Sequence, residues 1–335
     1  MRTYKILVFT DHRAHSKENS LYALLSHMSH HSACACLHVA SRGSERNAAF
    51  FSHPHQDDLE VIAVDENFQY DATGKQFSEN KLMVRMQDYD IILLRLPRPV
   101  SDAFLIQLNN LTKEQIVINH PLGILQTSNK AFLLHYPDLC PPMKLCRNID
   151  EVKEFAKNRD VVLKPLREYG GKGLLKISGQ LISDDESEWD LASYLPRIEE
   201  ELKTSGYLAM KFLKNVVNGD KRIIVVNGDI LAASNRLPPA GSWLCNVAKG
   251  GSTVRSEPTP EEIHIVQQID PLLRKNGILI YGVDTLEDDD GMRVLSEINT
   301  LSIGGFPHAE RQTGRPIIDM TIDRIFEYTK THHDQ

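Results

Sequence analysis

Cysteine is scarce in this chain, and what there is of it is unpaired. The five residues, Cys34, Cys36, Cys140, Cys146 and Cys245, are odd in number, form no C-x-x-C pair and keep no ligand-like spacing to a histidine. That excludes a disulfide framework and a zinc knuckle, and reduced thiols in a cytoplasmic protein are the expectation. No apolar run approaches the ~20 residues of a membrane-spanning helix, and the first one, in MRTYKILVFTDH, is too short for a signal peptide. No membrane partner is expected. Basic residues are not in excess either: with 38 Lys and Arg against 45 Asp and Glu the net charge is −7, which gives no reason to expect nucleic acid. Histidines do cluster, at His30–His31, His53 and His55, and His332–His333, but without carboxylates at helical spacing, so no metal role is assigned to them.

Several motifs are missing as well. The first apolar strand is not followed by G-x-G-x-x-G, and G-x-x-x-x-G-K-[ST] occurs nowhere, which argues against a dinucleotide-binding unit and a P-loop. No repeat and no nucleophilic Ser or Cys with a plausible triad can be found. What remains is an ordinary globular composition, 41% hydrophobic and 25% charged, in 335 residues, enough for two or three domains with a large core.

Strand and helix patterns alternate in the first third: strands at residues 5–9, 59–64, 91–94 and 116–118, helices at 19–28 and 102–111. This predicts an α/β lobe ending near residue 120. Arg95 closes the IILLR strand, where open sheets often place ligand contacts; a surface arginine is the equal alternative.

The chemistry-bearing stretches follow in order. Lys130 opens a short helical segment. The strand DVVLK ends at Lys164-Pro165, and Gly170, Gly171 and Gly173 lie between it and the next apolar run. Bare backbone N–H groups in such a loop can approach phosphate oxygens, although a plain turn over a buried lysine stem gives the same letters. Residues 181–193 read as a solvated acidic loop and 194–205 as a surface helix. A strand at 207–213 leads to Gly219-Asp220-Lys221-Arg222 and a hairpin turning at Asn227-Gly228, with Arg222 and Arg236 on its two limbs, both able to reach one anion. Residues 237–254 carry Pro238-Pro239, Gly241 and Gly250-Gly251 with little periodicity, which suggests a lid hinged at its glycines. Thr259-Pro260 opens a helix to Lys275, and a last helix spans 316–330.

The stretch YGVDTLEDDDGMRVLSEINTLS predicts a second hairpin carrying Asp284 on one strand and Glu297 and Asn299 on the other. Side chains two apart in a strand share a face, so two carboxylates and an amide oxygen could converge there. Hard oxygen donors suit Mg²⁺ shared with phosphates; the alternative is a solvated turn with an exposed edge charge.

From about Ile91 onward, and most of all over GDKRIIVVNGD, N-x-A-x-G-G and S-E-I-N, the sequence resembles the ATP-grasp superfamily, and within it the bacterial glutathione synthetases. The resemblance implies an N-terminal open α/β (pre-ATP-grasp) lobe, residues 1–120, binding substrate. An ATP-grasp fold of two α+β subdomains would follow, 121–206 with the lysines and glycine loop and 207–335 with metal site and lid, with ATP between them. It implies Lys130 and Lys164 at the phosphates, Gly170, Gly171 and Gly173 closing over them, and Lys211, Phe212 and Leu213 reading adenine through the backbone, with Asp220 and Asn299 also at the nucleotide. Asp284, Glu297 and Asn299 match the metal ligands, for two Mg²⁺ ions or for Mn²⁺, and Arg222 and Arg236 would neutralise charge in catalysis.

The reaction implied is ATP-dependent joining of a carboxylate to an amine, with a dipeptide and an amino acid as substrates, in a homo-oligomer. Two places depart from the family: Leu244 stands where a mobile-loop arginine is usual, and TLSIGGF follows E-I-N in place of V-T-S-P. Both touch substrate in the family. The readings therefore stand as glutathione synthetase, a ligase for another acid–amine pair, or a nucleotide-binding protein without turnover.

Overall fold

The computed structural model describes residues 2–54, 58–65, 68–245 and 251–333. Its strands fall into three sheets that are consecutive in sequence.

The first sheet is built from β1 (Tyr4–Thr10), β2 (Cys34–Ser41), β3 (Leu59–Ala63), β4 (Lys81–Val84), β5 (Ile91–Leu94) and β6 (Ile116–Ile118), ordered β4-β3-β2-β1-β5-β6. The strands from β2 to β6 in that order are parallel, whereas β3 and β4 join antiparallel at one edge. β1 shows why the run is apolar throughout: Tyr4, Ile6 and Val8 enter one core while Leu7 and Phe9 enter another on the opposite face. The first of these cores also holds the helix Ser20–His30 and the C-terminal helix Ile317–His333, whose Ile322, Ile325 and Phe326 lie against the N-terminal lobe. Arg95 is not a surface residue. It is buried, donates to the Ile303 carbonyl at 2.6 Å and thereby ties this lobe to the chain after the last strand.

The second sheet contains β7 (Met143–Cys146), β8 (Val161–Pro165), β9 (Leu175–Ser178), β10 (Leu181–Ser183), β11 (Glu188–Asp190) and β12 (Tyr207–Lys211), ordered β11-β10-β9-β8-β12-β7. Residues 181–193, expected to be a loop, supply its edge hairpin. Of the acidic residues that suggested a loop, Asp184, Asp185 and Glu186 make the turn, where Asp184 accepts from the Glu186 and Ser187 N–H groups at 2.8 Å each; Glu188 and Asp190 lie in β11, and Ile182 is fully buried. The single helix expected at 194–205 is broken into short turns at Leu191–Tyr194, Leu195–Ile198 and Glu199–Thr204, with Pro196 in the middle piece.

The third sheet holds β13 (Asp220–Val226), β14 (Asp229–Leu237), β15 (Ser252–Ser256), β16 (Ile280–Glu287) and β17 (Arg293–Asn299), ordered β15-β14-β13-β16-β17 and antiparallel throughout. Asn227 and Gly228 both have positive φ, 53° and 86°, as a two-residue hairpin requires. The helix Pro260–Lys275 covers the back of this sheet, capped by Thr259 and Glu262 in a reciprocal capping box. Of the expected lid, 237 belongs to β14 and 252–254 to β15, and residues 246–250, with the hinge position Gly250, lie outside the described residues.

One of the histidine clusters meets a carboxylate from a distant element: His31 Nε2 and Asp323 are 3.3 Å apart, and His27, outside the clusters, has its Nδ1 2.7 Å from Asp319, so that the first and last helices are joined. No cluster of three or more His, Cys, Asp or Glu side chains fit to hold a metal forms among the described residues. No helix there is long and apolar enough to cross a membrane.

Candidate active site

Between the second and third sheets lies a cavity of about 480 Å³. Every residue singled out for the site lines it except Gly173, at which a Cβ would stand 3.0 Å from Pro165 Cγ, so that glycine packs on the strand end instead. Gly170 and Gly171 have φ of 65° and 77°, a backbone shape costly for any residue with a side chain.

On the side of the second sheet, Lys164 stands in β8 and Lys130 opens the turn Lys130–His135. Both are buried. Lys130 Nζ donates to the Glu168 carbonyl, lies 4.7 Å over the Tyr169 ring and is 3.5 Å from Glu297 Oε1. Lys164 Nζ donates to the carbonyl and hydroxyl of Ser296 at 3.2 and 3.1 Å, and burial pulls its pKa down against the nearby Glu297 carboxylate. Beyond the end of β12 the chain runs through Phe212 and Leu213 along the cavity. Trp243 meets Phe212 edge-on at 6.1 Å, and Leu244, 8% exposed, sits about 4.0 Å from where a Gly171 Cβ would be, so the described part of 237–254 closes onto the glycine loop.

On the side of the third sheet the hairpin pairs as the pattern required, with Asp284 opposite Glu297 and Gly282 opposite Asn299. Arg222, in β13 beside them, lies across Gly282, where a Cβ would come within 3.0 Å of its Cδ. Both arginines reach one anion, and it is Asp284: Arg222 Nη2 donates to Oδ2 at 2.7 Å, its Nε donates to Oδ1, and Arg236 Nη2 stands 3.0 Å from Oδ2. Asn299 Nδ2 donates to the same Oδ2 at 3.1 Å. Arg236 also donates to Asp220 at 2.7 Å. Burial alone would raise the Asp284 pKa, but the two guanidinia outweigh it and bring it to about 2. Asp220 goes the other way: burial, with the Asp284 charge beside it, holds it above the usual carboxylate range in spite of Arg236.

Three buried atoms of this array have no hydrogen-bond partner: Glu297 Oε1, Asp220 Oδ1 and Arg236 Nε. Buried polar groups are rarely left so, and their gathering at one cavity marks a place for polar ligand atoms. The donor set, two carboxylates and an amide oxygen without sulfur or imidazole, is chemically suited to a hard cation, with the unpaired Glu297 oxygen as its best-placed donor.

Several residues here escaped sequence reasoning. Arg98 lies 4.1 Å over the Tyr169 ring and donates to its hydroxyl and to the Ser128 carbonyl at 2.8 and 2.9 Å. Asn119 bonds the backbone of Leu279, Ile280 and Thr300, fixing the first lobe to the hairpin. Glu262, fully buried, accepts from Lys221 and Thr259 N at 2.8 Å each, from Thr285 Oγ1 at 2.5 Å and from Arg293 at 3.0 Å, immediately behind Arg222 and Asp284. The capping-box letters were the only local sign of it. Finally, the acidic turn 288–291, readable as mere solvated turn, has its Asp289 paired with Lys211 at 2.7 Å and accepting from Lys214 N at 3.1 Å.

Comparison with known proteins agrees with this architecture. The profile of the family described as prokaryotic glutathione synthetase, ATP-grasp domain, matches residues 129–314. The chain is 32% identical over 248 residues to the glutathione synthetase of Rhodopseudomonas palustris, covering 73% of this chain and 75% of that one. It is 30% identical over 244 residues to that of Bradyrhizobium diazoefficiens, covering 72% and 74%. Among solved structures, D-cycloserine synthetase DcsG superposes with a TM-score of 0.65 at 10% identity over 97% of this chain and 99% of that one. A RiPP-associated ATP-grasp ligase of Chryseobacterium gregarium, solved with ADP and a leader and core peptide, superposes with 0.61 at 13% identity over 98% and 97%. At such identities these structures establish the fold alone. The first lobe, the two facing sheets and the family match over more than half of the chain lead to one conclusion: the chain belongs to the prokaryotic glutathione synthetase family and is an ATP-grasp ligase.

Proposed function

We propose that the chain joins γ-glutamylcysteine to glycine, converting ATP to ADP and phosphate through an acylphosphate. The observation that carries this reading is the gathering of two buried lysines, a positive-φ glycine loop and a buried carboxylate oxygen without a hydrogen bond around one cavity between two sheets. In this reading residues 1–120 present the dipeptide, while the second and third sheets close on the nucleotide; the boundary expected at 206 falls too early, since β12 (Tyr207–Lys211) pairs with β7 and β8 in the second sheet.

Lys130 and Lys164 meet the phosphates, the N–H groups around Gly170 and Gly171 approach them closely, and the backbone from Lys211 to Leu213 faces adenine. Asp284, Glu297 and Asn299 would hold Mg²⁺, which when bound would supply charge neutralisation at the phosphate oxygens. The dipeptide's cysteinyl carboxylate attacks the γ-phosphorus and ADP leaves. The glycine amine then adds to the acylphosphate carbonyl, forming the C–N bond; the tetrahedral intermediate loses the amine proton to solvent and expels phosphate as the C–O bond to the phosphorus-bound oxygen breaks and the carbonyl re-forms. The protein's part is positioning and counter-charge, so Arg222 and Arg236 matter by neutralising oxygens, and no nucleophilic side chain is needed. Asp284, Asp220 and the two arginines form one array in which a guanidinium released by one carboxylate meets another, or an arriving phosphate.

One observation favours a second reading, a different acid–amine pair. Leu244 is buried against the glycine loop, where the family resemblance expects an arginine facing substrate. The test of both is Mg²⁺-dependent ADP release, with product mass, for γ-glutamylcysteine and glycine beside a panel of dipeptides and amines. Tripeptide and ADP from the first pair support the proposal; turnover with another pair alone replaces it by the second reading; stoichiometric AMP contradicts both.

A further inference from the structure

β17 does not alternate regularly. Opposite β16, Asp284 pairs with Glu297 but Thr285 pairs with Leu295, so Ser296 is an extra residue, a β-bulge. Its effect can be read from the side chains. Leu295 and Ile298 enter the hydrophobic core, while Ser296, Glu297 and Asn299 all line the cavity. With strict alternation Ser296 would share the core face with Ile298. The bulge therefore turns a hydroxyl into the cleft beside Glu297, and re-aiming a side chain next to an active site is what bulges often do.

What the hydroxyl meets there is Lys164. The lysine belongs to the second sheet and Ser296 to the third, so the contact crosses the cleft: Nζ donates to Ser296 Oγ at 3.1 Å and to Ser296 O at 3.2 Å. Both residues are buried, Ser296 at 6% exposure and Lys164 at 7%. An ammonium taken out of water needs partners, and the bulged residue supplies two of them, one from its side chain and one from its backbone. The register beside the bulge is itself pinned. Arg293 donates to the Thr285 carbonyl at 2.8 Å and Glu262 accepts from the Thr285 hydroxyl at 2.5 Å.

We propose that Ser296 is a positioning residue for the ligase reaction: the bulge exists to set its hydroxyl and carbonyl as the seat of the Lys164 ammonium, which fixes that charge in the cleft for the nucleotide's terminal phosphates. The inference rests on the reading that Lys164 meets those phosphates. A lysine has a flexible four-carbon stem, so a seat is what converts it from a diffuse charge into a placed one.

The experiment measures binding of Mg²⁺·AMPPNP and Mg²⁺·ADP by calorimetry to the full chain and to Ser296→Ala, Ser296→Thr, Lys164→Met and the Ser296→Ala/Lys164→Met double variant. Removal of a hydrogen bond to a charged group predicts about tenfold weaker AMPPNP binding by Ser296→Ala. ADP binding should fall less, Ser296→Thr should bind within about twofold of the parent since it keeps the hydroxyl, and the double variant should bind no worse than Lys164→Met. Ser296→Cys, close in size and a poor acceptor, gives the same reading should the alanine variant melt early. Unchanged AMPPNP binding by Ser296→Ala, losses that add in the double variant, or a threonine variant as weak as alanine at an unchanged melting temperature would overturn the proposal. Lys164→Met binding AMPPNP like the parent would instead remove the reading on which it rests, and the proposal with it.

Discussion

The two faces of the third sheet both carry networks of acids and bases and treat them in opposite ways. On the back, Glu262 is fully buried, yet its two oxygens accept from Lys221, Thr259 N, Thr285 and Arg293. On the front, one residue further along the same strands, Arg222, Arg236, Asp220, Asp284 and Glu297 share the cavity and leave Glu297 Oε1, Asp220 Oδ1 and Arg236 Nε without hydrogen bonds. Alternation in β13 and β16 makes the division, since Lys221 pairs with Thr285 and Arg222 with Asp284. A saturated network can only hold a structure together, whereas an unsaturated one has bonding capacity kept for something that arrives.

If that contrast is right, the faces should fail differently. Glu262→Ala strips a buried carboxylate from two cations and should destabilise the fold by about 3–5 kcal/mol, read as a lower denaturation midpoint in urea. A loss near zero would mean that the back network is ornamental. Glu297→Gln should do the converse, lowering turnover by about 10²–10³ with little change in melting temperature, because Glu297 Oε1 accepts no hydrogen bond and its ion pair with Lys130 is long, at 3.5 Å. An active variant with unaltered Mg²⁺ dependence would show the hairpin to be structural.

Acid should separate two carboxylates within the front face. The Asp284 pKa in the folded chain, about 2, lies below the unfolded value near 3.8, so its stabilisation is complete above the higher figure and lost as pH falls through the lower. Asp220 has the opposite sign: its folded pKa is raised, so its cost to stability sets in as pH rises past the unfolded value near 3.8, is complete above the raised folded pKa, and is absent in stronger acid. Asp284→Asn should therefore melt lower than the parent at neutral pH and converge with it towards pH 2, while Asp220→Asn should melt higher at neutral pH. Melting curves of the three proteins across pH check this; the same sign for both variants would break the assignment.

The smallest effect concerns the lid. Arg236→Ala removes a contact to both Asp220 and Asp284, and Leu244→Ala only an apolar one, so ADP release should fall far more for the former than for the latter. A Leu244→Ala variant as impaired as Arg236→Ala would make the leucine a substrate-determining residue.

Much of the front face was legible from letters, because its signals are local. Asn227-Gly228 and the D…E-x-N alternation each act within a few residues, and the lysine and glycine stretches match a family pattern. The back face was not legible, since Glu262 meets Lys221 and Arg293 across 41 and 31 residues and its own neighbourhood reads as an ordinary helix start. Ser296 was missed for a related reason: strict alternation puts it in the core, and only the register against β16 reveals the extra residue. Arg95 was undecided between ligand and solvent because its partner, the Ile303 carbonyl, lies 208 residues away. The edge hairpin of β10 and β11 was hidden by the acidic turn between its strands and by Glu188 and Asp190 in β11, a composition that fits an exposed edge as well as a loop.

The central claim is that the carboxylate substrate is phosphorylated before the amine attacks. The most direct measurement uses γ-glutamylcysteine labelled with ¹⁸O in its cysteinyl carboxylate, together with glycine, Mg²⁺ and ATP, and reads the phosphate released by mass spectrometry. The account predicts one ¹⁸O transferred from the carboxylate to each phosphate formed with the tripeptide. Unlabelled phosphate accompanying the tripeptide, or label appearing in AMP, would contradict it.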